Sequence, residues 1–156
     1  MWGDRAQPAI PPFGAPGTGN RMAYMAPSIL ARRFPARADQ VRLARREVEA
    51  CAREHGAVDP SAIALAVSEA VTNAVIHAYV DHAHPGDVEV FVERHPGDGL
   101  EIHVCDEGRG LLPRSDSPGL GVGLPLVAKL AQHFRVETRP TGGTAVSMVF
   151  PVHDPA

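Results

Sequence analysis

Apolar residues recur along this chain with two different periods, and the places where one period gives way to the other mark out its elements. "SILARRFPA" (Ser28–Ala36) reads as a first strand ended by Pro35, because the residue before a proline is pushed towards extended backbone. The next segment places Val41, Ala44, Val48, Cys51 and Ala52 at helical spacing, with Asp39 predicted as its N-cap and Gly56 as its stop. A second helix is predicted to start with Asp59 as cap and Pro60 in the first position. Ile63, Val67, Ala70, Val71, Ala74, Val75 and Ala78 line one face of it.

The period then shortens to two. "DVEVFVER" (Asp87–Arg94) and "LEIHVCD" (Leu100–Asp106) alternate polar with apolar, and "HPGDG" supplies the turn of a hairpin between them. After a glycine-rich stretch, "LPLVAKLAQHF" reads as a helix, and "FRVETR" and "GTAVSMVFPV" as two further strands joined by "PTGG". The predicted fold is α+β, a two-layer sandwich whose antiparallel or mixed sheet carries its helices on one face. No βαβ unit repeats and no internal repeat is visible.

The first 27 residues, "MWGDRAQPAIPPFGAPGTGNRMAYMAP", are dense in proline and glycine with few apolar residues to offset ordering, so they are predicted to be a disordered tail to a domain spanning 28–152. The whole chain has 156 residues, 44% hydrophobic and 21% charged, which fits one globular domain. A net charge of −3 gives no reason to expect nucleic-acid binding. Two cysteines, Cys51 in a helix and Cys105 at a strand end, read as buried free thiols, with a disulfide as the alternative; this favours a reducing compartment. No apolar run approaches the roughly 20 residues of a membrane span and no signal-peptide order is seen, so a cytoplasmic protein with no membrane partner is expected.

Candidate chemistry collects in two places. Glu69, Asn73 and His77 stand four residues apart on the second helix, one above another on one face. They form either the solvent side of an amphipathic helix or a row offering a general base and oxygen ligands for a hard cation. The second place is "DEGRGLLPRSDSPGLGVGLPLV" (Asp106–Val127). Asp106 emerges from a strand, Gly108 and Gly110 allow close backbone approach, and Gly119, Gly121 and Gly123 lead into a helix start suited to phosphate. No GxxxxGK[ST] occurs, and no GxGxxG follows a strand within a βαβ unit, which disfavours a Walker site and a dinucleotide fold. Asp81, His82 and His84 could be read as a metal site, but in a turn they are expected to be solvated.

Four segments together, "SEAVTNAVIHAY", "DEGRG", "PGLGVGLPLV" and "GGTAVSM", resemble the successive boxes of the histidine-kinase-like (GHKL, Bergerat) ATPase fold, and among its branches the anti-sigma-factor serine/threonine kinases. The resemblance runs from about Ser28 to Val152. It implies ATP and Mg2+ as cofactors, with Glu69 as general base, Asn73 as magnesium ligand and His77 near the phosphates. Asp106 would accept the adenine amino group, Gly108 and Gly110 would shape the base pocket, Gly119, Gly121 and Gly123 would flank the triphosphate, and Thr144 would support the adenine site. Arg42 aligns loosely with a partner-binding arginine.

The segment from Gly110 to Gly119 is short, implying a compact ATP lid over 111–118, and a phosphoacceptor-histidine helix ahead of the domain is not expected. The function implied is an ATP-dependent anti-sigma-like regulator. It would phosphorylate a serine or threonine of an anti-sigma-factor antagonist protein and sequester a sigma factor, and members of the family commonly form homodimers. The alternative is a non-catalytic, nucleotide-dependent protein-binding module.

Overall fold

A computed structural model of the chain describes residues 28–110 and 123–154. In order these form β1 (Leu30–Pro35), α1 (Ala38–Glu54), α2 (Pro60–Asn73) running straight into a π-helical turn (Ala74–Ala78), β2 (Asp87–His95), β3 (Gly99–Asp106), α3 (Gly123–Leu130), β4 (His133–Thr138) and β5 (Thr144–Pro151). The strands make one sheet in the order β1-β2-β3-β5-β4, and every neighbouring pair is antiparallel. This settles the open choice between an antiparallel and a mixed sheet.

Register explains how the alternation becomes a core. Val90, Val104, Val146 and Val136 stand opposite one another across β2, β3, β5 and β4, and Val92, Ile102, Met148 and Phe134 form the next row. Successive strand residues point to opposite faces, so both rows lie on the same side. There the residues of β2, β3 and β5 join Ala44 and Val48 of α1, Ile63, Val67 and Val71 of α2, and Val127 of α3 in a single buried cluster, against which Val136 and Phe134 of β4 pack partly buried. The helices therefore cover one face of the sheet, as an α+β sandwich requires.

The second helix starts as expected. Asp59 accepts a hydrogen bond from the Ala62 amide at 2.9 Å, with Pro60 in the first position. The first does not. Its N-cap is Arg37, which makes no side-chain cap, and Asp39 lies one residue inside Ala38, paired instead with the Arg37 guanidinium at 3.1 Å. α1 ends at Glu54, with Gly56 just beyond it at φ 78°.

α3 also differs from its expected span, stopping at Leu130 rather than running to Phe134. The Gln132 amide bonds to the Val149 carbonyl at 2.8 Å and Phe134 pairs with Met148, so the strand captures residues whose local pattern reads as helix. Finally, α2 with its π extension, Pro60–Ala78, is a 19-residue helix of mean hydropathy 1.3. It meets the length and composition of a membrane span, contrary to expectation, but here its apolar face is the centre of the core.

Candidate functional site

α2 presents Glu69 and Asn73, and the π turn presents His77; all three are half-buried, neither on the solvent side nor inside the core. The Asn73 amide nitrogen is buried with no hydrogen-bond partner among the described residues. An amide can rotate by half a turn to exchange its NH2 and oxygen, so this position can offer an oxygen to a hard cation. An unpaired buried polar group is costly, and a bound group that satisfied it would remove that cost. Burial, with a smaller contribution from Arg109, pushes His77 below the ordinary histidine value, which favours its neutral form.

Asp106 ends β3 opposite Val88, so its side chain turns towards the helix layer rather than away from it. Its carboxylate is buried. The Gly108 amide at 2.9 Å and the Thr144 amide at 3.2 Å both donate to Oδ1, and the Arg139 guanidinium donates to the Asp106 backbone oxygen at 3.1 Å. Oδ2 faces no such donor among the described residues, leaving it as the oxygen able to accept a bond from a ligand. Burial raises the Asp106 carboxyl above the usual aspartate value, against the lowering effect of the two amides and Arg139.

Two glycines make the turn around Asp106 possible. A Cβ on Gly108 would collide with the Ala78 carbonyl, and one on Gly143, at φ 91°, would collide with the Asp106 carbonyl. The loop after β3 is thus pressed against the end of the π turn on one side and the start of β5 on the other. The Arg109 amide donates to the Ala78 oxygen at 2.9 Å, fixing that approach.

The structure therefore brings Asp106, Gly108 and Thr144 together, and the Ala78 contact ties them to the helix that carries Glu69, Asn73 and His77. Gly110 follows at φ 78°, beside Thr138. Gly119, Gly121 and the 111–118 segment lie outside the described residues, while Gly123 opens α3. Arg42 sits exposed on α1.

Asp81, His82 and His84 are exposed, and no three His, Cys, Asp or Glu side chains among the described residues form a group that could hold a metal. Cys51 and Cys105 are buried and are not joined in a disulfide, as expected. Sequence reasoning did not single out Tyr79, Arg109, Arg139 or Gly143. "PTGG" and "GGTAVSM" were the local signals for Gly143, and the two arginines act through contacts far apart in sequence.

The same assembly has known relatives. Over 97 residues the chain is 31% identical to the anti-sigma F factor of Thermoanaerobacter sp. (strain X514), an alignment covering 55% of this chain and 66% of that protein. It is 37% identical over 94 residues to the blue-light-activated histidine kinase 2 of Erythrobacter litoralis (strain HTCC2594), covering 58% of this chain and 27% of that one. The chain thus spans just under two thirds of the anti-sigma relative's length. The solved structure of the Erythrobacter litoralis EL346 blue-light activated histidine kinase superposes with a TM-score of 0.50 at 36% identity, over 60% of this chain and 30% of that chain. A family model described as the histidine kinase-like ATPase domain matches residues 34–150, from the end of β1 to the end of β5, and by that match the chain belongs to the histidine kinase-like ATPase domain family.

Proposed function

We propose that this chain is an ATP-dependent anti-sigma-like regulator that transfers the γ-phosphoryl group of ATP to a serine or threonine of an antagonist protein, and that it also sequesters a sigma factor. The observation that carries this reading is the buried Asp106 carboxylate, whose Oδ1 is held by two backbone amides while Oδ2 is left for an amino-purine. The names of the anti-sigma F relatives support the regulatory part, at 31% identity.

In this reading Asp106 accepts the exocyclic amine of adenine in a charge-assisted hydrogen bond worth about 1.5–3 kcal/mol. Gly108 and Gly110 let the backbone lie close to the base, and Thr144 supports the pocket from β5. Asn73 holds Mg2+, which when bound offsets phosphate charge. Glu69, one turn earlier on α2, takes the proton of the acceptor hydroxyl, and neutral His77 lies towards the phosphates. Gly119, Gly121 and Gly123 supply backbone amides to the triphosphate. Arg42, on the exposed side of α1, contributes to the partner surface, and two cysteines not joined in a disulfide accord with a cytoplasmic setting.

The test separates binding from transfer. With labelled ATP and a cognate antagonist, the unmodified chain should pass on phosphate. Glu69→Ala should lower transfer by about 10²–10⁴-fold while ATP affinity is kept. Asp106→Asn should instead weaken ATP binding itself, by about tenfold or more. ATP binding without transfer to any antagonist would favour the non-catalytic module, and loss of binding in Glu69→Ala would contradict the division of roles.

A further inference from the structure

Tyr79 follows the π turn directly, and its ring is almost completely buried. Its hydroxyl donates to the Asp87 carbonyl at 2.7 Å and accepts from the Glu107 amide at 3.1 Å. The ring fills the space between the start of β2 and the loop after β3 so closely that a Cβ on Gly86 would lie 2.6 Å from it. One residue earlier, the Ala78 carbonyl accepts from the Arg109 amide at 2.9 Å. Two adjacent residues at the end of one helix therefore hold two amides of the Asp106–Gly110 loop, on either side of the Gly108 amide that bonds to Asp106 Oδ1. The π turn that ends at Ala78 widens the helix immediately before Tyr79, a distortion that is rare and tends to be found at functional sites.

We propose that Tyr79 is a positioning residue for base recognition, its hydroxyl clamping the Glu107 amide so that the Asp106 carboxylate is oriented by the helix that carries Glu69 and Asn73. The role rests on the nucleotide-binding reading above. Phenylalanine keeps the ring and its packing but cannot bridge, so the loop would be released at Glu107 while the core stays filled. The burial that pushes the Tyr79 phenol above its ordinary value keeps it protonated, as a donor to Asp87 must be.

The experiment compares the full-length chain with Tyr79→Phe by calorimetric titration of ADP and of IDP, which lacks the exocyclic amine. The unmodified chain should prefer ADP. Tyr79→Phe should weaken ADP binding about 3–10-fold, the effect of one hydrogen bond, with a smaller change for IDP, so that the preference narrows. A merely structural role would lower both affinities equally along with Tm, and that result overturns the proposal, as does an unchanged ADP-to-IDP ratio. Amide hydrogen exchange on the unmodified protein reads the clamp without a variant. Glu107 and Arg109 should be protected before nucleotide is added, and exchange at the rate of open loop would overturn the proposal. Failure of the unmodified chain to bind ADP overturns the nucleotide reading and this role with it, whereas ADP binding that Tyr79→Phe leaves unaltered overturns this role alone.

Discussion

In the reading proposed above, Asp106 receives the adenine amine most strongly as a carboxylate, yet burial favours its neutral form. Its value therefore lies above the ordinary 3.8, and nucleotide affinity should fall on acidification at a higher pH than an exposed aspartate would impose. The contribution to folding has the opposite sign. The native state holds this proton more tightly than the unfolded chain, so the cost of burying the carboxylate is absent below 3.8 and grows as pH rises through the raised value. Measuring ADP affinity as a function of pH should reveal an acid limb in the unmodified chain that Asp106→Asn lacks; identical profiles would mean that Asp106 does not titrate in binding. Asp106 was legible in sequence because a polar residue closing an alternating strand, followed by two spaced glycines, is a local pattern. Arg139 was not, since it reaches the Asp106 carbonyl across 33 residues of chain and nothing in its own neighbourhood encodes that contact.

At the scale of elements, the two long helices begin in different ways that have measurable consequences. Asp59 caps α2 through its side chain, so Asp59→Ala should cost about 1 kcal/mol in urea unfolding. Asp39 lies inside the first turn of α1 and makes only exposed side-chain contacts, with Arg37 and Gln40, so Asp39→Ala should cost less. Equal losses would contradict the observed caps. Helix and strand types, the capped start of α2 and the hairpin were all readable, because each is written in nearby residues. The end of α3 and the π turn were not. The first is decided by the pairing of Phe134 with Met148, and the second interrupts an apolar repeat that continues unbroken in the sequence from Ala74 to Ala78. The spacing of Glu69, Asn73 and His77 suggested one uniform face, whereas only Glu69 and Asn73 belong to regular α-helix.

For the whole molecule, the less expected feature is the sheet face turned away from the helices. A two-layer sandwich with alternating strands should leave this face polar and wet, and no helix among the described residues covers it. Even so, His103 is only 4% exposed and Glu93 only 8%. His103 on β3 has its Nδ1 3.0 Å from the Ser147 hydroxyl of β5, and its Nε2 lies 3.6 Å from Glu101 and 3.9 Å from Glu93 of β2. Burial pushes the imidazole below its ordinary 6.5 despite the opposing pull of Glu101 and Glu93. The unfolded chain therefore takes up this proton first. Stability from His103 is fully present above 6.5 and is lost as pH falls from there towards the lowered native value. His77, lowered by burial and by Arg109, adds a loss of the same sign, so total stability alone cannot assign the effect. The difference between the unmodified chain and His103→Gln can. Urea midpoints followed downward from 6.5 should fall more steeply for the unmodified chain; parallel slopes would show that the neighbouring glutamates cancel the effect of burial, and a shallower slope that they outweigh it.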